Sequence, residues 1–270
     1  MNLFSLFKKR NYIYFYHKLK PYSKSVKKGM LDYSDYDSLD DLSNYFKIAD
    51  FKKIVVVASG PSAKKIVPEK DALYFCCNDS INIVKSMPHV YVVHDPFYLT
   101  LYLKSFMASE KWLGTIFWII DNNSKVNSNS FEKVLHYILR KHRNKREFLI
   151  TNYKYNKSSE LLHKELTESL KEDFNFTYQS INSGFNTLML AAVLACRKNK
   201  VLEIYGLDMG IGGNQYYNKK ASIGKSISGD HNKEIVKDFL NQLYKRKNKI
   251  YNASNFMNYE DVKIDKPIQE

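Results

Sequence analysis

Apolar residues in this chain fall into short runs of strand length, set between longer stretches in which they recur every three or four positions. Ile54 to Val57 is the clearest run, all β-branched, and Ala72 to Cys76, Val90 to Val93, Thr115 to Ile120, Leu202 to Tyr205 and Lys249 to Tyr251 predict further strands. Helical stretches are predicted at Ser38 to Phe46, Ala63 to Val67, Ile81 to Ser86, Phe131 to His142 and Ser159 to Lys171. Brief apolar runs alternating with helices predict an α/β domain on a mainly parallel sheet. Farther on, Ser183 is expected to cap a helix whose Phe185, Leu188, Met189, Ala192, Val193 and Cys196 share one buried face. Asp230 is expected to cap another, striped by Ile235, Phe239 and Leu243.

The pattern divides the chain in three. Residues 1–50 read as a basic, aromatic arm with a short helix, 51–255 as the main domain, and 256–270 as a polar tail. Within the main domain, the middle section up to about Thr177 reads as a small helical insertion or lid on the substrate side. The polar, glycine-rich loop over 210–229 reads as a second cover.

The first predicted strand breaks into Ser59-Gly60-Pro61-Ser62. A buried strand feeding a glycine turn and a helix start forms the phosphate or nucleotide corner of many α/β domains. Gly60 is free to take a positive φ and to let the backbone approach a ligand, Pro61 suits a first helical position, and Ser59 and Ser62 offer hydroxyls. An ordinary strand-to-helix connection fits the same residues, because one glycine turn carries little information.

Composition narrows the class. A chain of 270 residues with 44% hydrophobic content is long enough for one sizeable core. Cys76, Cys77 and Cys196 have neither C-x-x-C nor zinc spacing, and no charged-then-apolar leader opens the chain, so a reducing cytoplasm is expected. No apolar run approaches the roughly 20 residues that span a bilayer. The net charge of +14 fits either a solvated, lysine-rich surface or attraction to an anionic partner. Met1 to Tyr22 interleaves Phe4, Phe7, Tyr12, Tyr14 and Phe15 with basic residues, which suits peripheral contact with the inner face of an anionic membrane. Nucleic acid is not expected as a partner, since no helix-turn-helix, zinc-finger or RNP-type motif is present.

The order of segments over about residues 52–255 resembles the bacterial sialyltransferases of glycosyltransferase family 42, the lipooligosaccharide enzymes. The pieces that carry the resemblance are IVVVASGPSAKKI at Ile54 to Ile66, FCCN ending at Asn78, VYVVHDP at Val90 to Pro96, INSGFNTLMLAAVLA at Ile181 to Ala195, EIYGLDM at Glu203 to Met209, and His231 ahead of a helix. The resemblance implies a GT-A-like variant with a single Rossmann-type sheet, and a metal-independent, inverting transfer of sialic acid or a related nonulosonic acid from a CMP-sugar to an oligosaccharide or glycolipid acceptor. It implies no cofactor beyond that donor, and a homo-oligomer. A group of pterin-phosphorylating proteins shares the Gly-Pro-Ser corner and the Ser-Gly helix, and would instead use ATP and Mg²⁺. A non-catalytic basic protein that docks an anionic membrane or nucleic acid through its arm is the other alternative.

Carried over by motif, Ser59, Gly60 and Ser62 would line the cytidine phosphate and ribose corner, with Asn78 near the donor and Asp208 following the later strand. Ser183 and Gly184, at the positive end of a helix, would hold the nonulosonate carboxylate through backbone N–H groups. Asp95 stands where the family has asparagine, and Ser180 where it has arginine, so the sugar itself is open. Of the family's two phosphate-binding tyrosines, one position falls on Gly210 and the other on Tyr216, with Tyr217 its neighbour. His231 matches the general base, because an imidazole can accept the acceptor's hydroxyl proton near neutrality. His94 fits a donor contact and a structural role at the strand end equally. No metal site is implied: the pairs Asp35 with Asp37 and Asp40 with Asp41 precede the first strand and read as solvated, and Asp121 is the acid better placed for a cation.

Overall fold

A sheet of seven strands runs through the computed structural model, which describes residues 38–93, 102, 105, 108–109, 111–117, 157–211, 217, 230–246 and 249–260. The strands are β1 Lys53–Val57, β2 Ala72–Cys76, β3 His89–Val93, β4 Trp112–Phe117, β5 Val201–Tyr205, β6 Ile250–Asn252 and β7 Tyr259–Glu260. Their order is β4-β3-β2-β1-β5-β6-β7, with β7 antiparallel to β6 and every other pair parallel. The chain builds outward from β1 to β4, returns to β5 on the other side of β1, and continues outward to β6. This is a Rossmann-like α/β arrangement. Among the described residues the helices include α1 Leu39–Tyr45, α2 Ile81–Val84, α3 Lys157–Phe174, α4 Ser183–Arg197 and α5 Asp230–Tyr244.

One face of the sheet carries the main core. Ile54, Val56, Leu73, Phe75, Val90, Val92, Leu202 and Ile204 point into it and are buried, as the two-residue alternation of strands requires. α4 lies on this face and is buried on nearly every side, from Gly184 to Ala195, not along one stripe; Cys196 is only partly buried. A helix that is apolar all round needs cover all round. α1 and α3 supply it, bringing Leu39, Leu42, Leu162, Leu166, Leu170 and Phe174 into the same core. The described part of the predicted helical insertion thus packs on α4 as an outer layer, and the short helix α1 shares the same core. α5 completes the layer through Ile235, Val236, Phe239, Leu240 and Leu243, with Phe239 ringed by Phe174, Phe176 and Phe185 at 5.1 to 5.5 Å.

Several local expectations change. The predicted helix Ala63 to Val67 is a 3-10 turn over Pro61–Lys65, because Pro68 disfavours helical geometry at Val67. β4 begins at Trp112, three residues before the predicted start, and pairs with β3 across an irregularity at His89 and Val90. The cap of α4 is Asn182, whose side chain accepts the N–H of Phe185, and Ser183 is the first helical residue. Asp230 lies within the first turn of α5. The expected polar tail contributes β7, and Tyr259 stacks on Tyr244 at 4.0 Å. The arm to residue 37, the predicted helix Phe131 to His142 and most of the 210–229 loop lie outside the described residues.

The opposite face of the sheet mixes polar side chains with Val55, Val57 and Cys76. It carries Lys53, Tyr74, His89, Tyr91, Glu203 and Tyr205, all buried. The Lys53 ammonium sits 2.8 Å from Glu203 and 2.8 Å from Glu69, and the Tyr205 hydroxyl donates to Glu203 at 3.2 Å. Beside this cluster, at the N-terminal edge of the sheet, lies a cavity of about 250 Å³ whose walls include Asp71, Ile250 and Tyr251. Burial works to lower the Lys53 pKa, but the hydrogen bonds to Glu203 and Glu69 prevail and raise it. Burial, reinforced by the Glu203 charge, raises that of Tyr205.

Both shifts act in the same sense. The stability supplied by Lys53 is complete below the unfolded lysine value near 10.4 and is lost as pH rises through the folded value. Tyr205 is kept neutral, so its contribution is complete below about pH 10 and declines once the unfolded tyrosine ionises. Thermal midpoints should therefore stay level from about pH 7 to 9.5 and fall above pH 10, with a shallower fall in Tyr205→Phe. A level midpoint up to about pH 11 would contradict this account.

Candidate functional site

β1 and β5 are neighbours, yet the chain leaves them in opposite directions, toward β2 and toward β6. Their C-terminal ends therefore open a crevice at the topological switch point, where ligands bind in open α/β sheets. The two lips are joined directly. Ala58 N–H donates to Tyr205 O at 2.8 Å, and Gly60 N–H to Gly206 O at 2.9 Å.

Gly60 serves this junction in an unexpected way. Its φ is −68°, so positive φ is not what selects glycine there. A Cβ at Gly60 would fall 2.4 Å from both Gly206 O and Asp208 Oδ2, so close packing of the lips selects it. Gly206 does have a positive φ, +76°, and its own Cβ would fall 2.3 Å from Ala58 O.

Ser62 and Asp208 lock the corner from inside. Asp208 accepts from Ser62 N–H at 2.7 Å, from the Ser62 hydroxyl, and from Asn255 N–H at 2.7 Å. Gly206 N–H donates in turn to Ser62 Oγ at 3.0 Å. Both side chains are buried and committed to the protein. The Ser59 hydroxyl is likewise engaged, donating to Cys77 O at 3.1 Å and so tying the end of β1 to the end of β2.

The N-terminus of α4 meets this corner. A Cβ on Gly184 would lie 2.8 Å from the Ala58 Cβ, so glycine is what lets the helix close onto the strand end. The first N–H groups of a helix have no acceptor within it, and the helix dipole makes that end attractive to anions. Asn182 takes the N–H of Phe185, while Ser183 and Gly184 carry the two preceding ones. Ser180, where the resembled family has arginine, accepts from Asn186 Nδ2 at 2.9 Å.

At the end of β2, Asn78 has left-handed geometry, φ 52°, and its carbonyl accepts from the Tyr91 hydroxyl at 3.0 Å. The next residue, Asp79, is buried at 2% exposure; nothing in the sequence reading singled it out, although its distance from Gly60 was a usable signal. Tyr217 spans the two strand ends. Its N–H donates to Ser59 O at 2.9 Å and its hydroxyl to Asp79 O at 3.0 Å. Burial raises the Tyr217 pKa, as does the adjacent Asp79 charge. Burial also pushes the Cys77 thiol up to about 12, which leaves it unsuited to nucleophilic work near neutrality.

His231 is exposed in the first turn of α5. Because β5 and β6 are parallel, α5 must start on the edge where β5 ends. His231 thus shares an edge with the crevice. Tyr216, Asp95 and His94 lie outside the described residues, as do Asp35, Asp37 and Asp121. Asp40 is paired with Lys198 at 2.6 Å, and Asp41 accepts from the Ser38 hydroxyl at 2.6 Å. Among the described residues, no group of three or more histidine, cysteine or acidic side chains is arranged to hold a metal ion, and no helix is long and apolar enough to cross a membrane.

The described residues form a Rossmann-like α/β domain with a crevice at the switch point of its sheet. Comparison with protein families, curated proteins and solved structures finds no match to the chain.

Proposed function

We propose that the chain is a metal-independent, inverting glycosyltransferase of GT-A-like type. Its donor is a CMP-activated sialic acid or related nonulosonic acid, and its acceptor an oligosaccharide or glycolipid precursor of the cell surface. The observation that carries the reading is the seating of the α4 N-terminus against the end of β1 in the switch-point crevice, through Gly184 and Ala58. A donor of this class brings two anions, a phosphate and a sugar carboxylate, and the N-terminus of α4, where the Ser183 and Gly184 N–H groups have no acceptor within the helix, is attractive to an anion.

The chemistry asks little else of the protein. CMP departs as a stable phosphate anion, so fixed hydrogen-bond donors can replace a divalent Lewis acid. His231 accepts the proton of the acceptor hydroxyl as its oxygen attacks the anomeric carbon, the bond to CMP breaks on the opposite face, and Tyr216 with the N-terminus of α4 receives the charge.

The test is release of CMP from CMP-sialic acid with a galactose-terminated acceptor, in EDTA. Acceptor-dependent release is expected. No release, together with no thermal stabilisation by CMP, would overturn the reading.

A further inference from the structure

The cavity at the N-terminal edge of the sheet lies at the opposite end of the strands from the crevice. Its volume of about 250 Å³ is just under the roughly 300 Å³ at which pockets for drug-sized ligands begin, so it suits a smaller molecule. Its wall combines apolar surface from Val201, Ile250 and Tyr251 with six charged side chains.

Five of these charges are matched to one another. Lys53 holds Glu203 and Glu69, and Lys52 pairs with Asp71 at 2.8 Å. The sixth is Lys249, which is exposed and makes no ion pair among the described residues. Tyr251 sets its ring at 6.1 Å from that of Tyr205, edge to face, while its hydroxyl has no hydrogen bond among the described residues.

The register places these two donors together. Glu203 lies across from Tyr251, and Leu202 N–H donates to Lys249 O, so Lys249 and Tyr251 flank Val201 and Glu203 from the β6 side. Glu69 and Asp71 stand on the β2 side, three strand spacings or about 14 Å from β6, which exceeds the screening length of about 8 Å in physiological salt. Glu203, between the two sides, has one oxygen on Lys53 and the other on Tyr205. Ion pairs thus close the β2 half of the cavity, and the β6 half offers an ammonium and a phenol O–H above a valine.

Two unused donors beside apolar surface match a compact apolar body with one anionic group. A carboxylate has two oxygens, one for each donor, and a flat ring can lie on Val201 against the ring of Tyr251. A cation would meet Lys249 instead.

We propose that this cavity is a second ligand site, for a small monocyclic aromatic carboxylate held by the Lys249 ammonium and the Tyr251 hydroxyl with its ring seated on Val201. The site uses nothing from the crevice, so it stands apart from the glycosyltransferase reading.

The experiment is titration of the full chain with benzoate, benzamide and benzylamine, followed by ligand proton NMR; the three present one ring with a negative, a neutral and a positive group. Benzoate should bind with a Kd of about 0.1–1 mM, as suits so small a ligand, benzamide about tenfold more weakly, and benzylamine not at all. Lys249→Gln should weaken benzoate about tenfold and leave benzamide within about twofold, and Tyr251→Phe should weaken benzoate about threefold. Lys249→Glu should lose benzoate and admit benzylamine. Because Lys249 is exposed, its variants should melt with wild type.

Absence of benzoate binding up to about 10 mM would overturn the proposal, as would benzylamine binding wild type as tightly as benzoate. Unchanged benzoate affinity in Lys249→Gln would overturn it too. Displacement of benzoate by CMP would put the ligand in the crevice, which refutes the second site and leaves the nucleotide reading standing.

Discussion

Replacing His231 by alanine is expected to cut acceptor-dependent CMP release by about 100- to 10,000-fold, the range that a positioned general base contributes. CMP affinity should stay within about twofold, because the imidazole acts on the acceptor and not on the nucleotide. The fold should be unaffected. His231 is exposed, and substitutions at such positions usually move stability by no more than about 0.5 kcal/mol. Parallel assays of release, CMP binding and melting separate the cases: loss of all three would mean a structural defect, and retention of full release would remove His231 from the chemistry.

The second large effect concerns the fold beneath the crevice. Asp208→Ala should destabilise the protein by about 3 kcal/mol or more, because it strands Ser62 N–H, the Ser62 hydroxyl and Asn255 N–H in a buried setting at about 1–3 kcal/mol each. Asp208→Asn should cost less, since one carbonyl oxygen still accepts while the amide N–H₂ faces donors. Denaturant midpoints measure both. CMP affinity should fall with Asp208→Ala even though the carboxylate touches only protein, because the Gly60 turn is anchored through Ser62. Unchanged stability in Asp208→Ala would mean that water replaces the carboxylate at no cost.

The sheet was legible because its strands are β-branched and bounded by turn residues: β2 falls on its predicted limits, and β1 and β5 each start one residue earlier. β7 was not legible, since two polar residues carry no periodicity and pair only because β6 offers an edge. The α4 cap was ambiguous for a different reason. Asn182 and Ser183 are both capping residues, and only backbone geometry chooses between them. The corner is legible from Gly60, but the reason for the glycine lies 146 and 148 residues away, in Gly206 and Asp208. Asp79 was overlooked because an acid after a strand reads as solvated until burial is known.

The Lys53 and Glu203 ion pair has a consequence for the opposite end of the sheet. β1 and β5 are almost wholly apolar, and apolar strands alone could slide past one another by a residue. Here Lys53 lies across from Val201 and Val55 from Glu203, so the ammonium meets its carboxylate only at one setting. Sliding by one position would turn the charges toward the face that α4 fills with leucine, valine and alanine. The pair thus works as an indexing pin. Four residues farther along, about 13 Å away, the same setting puts Val57 across from Tyr205 and lets the Ala58 and Gly60 N–H groups reach the Tyr205 and Gly206 carbonyls. A substitution at Lys53 would therefore blur the crevice from the far edge of the sheet, without touching any residue that meets a ligand.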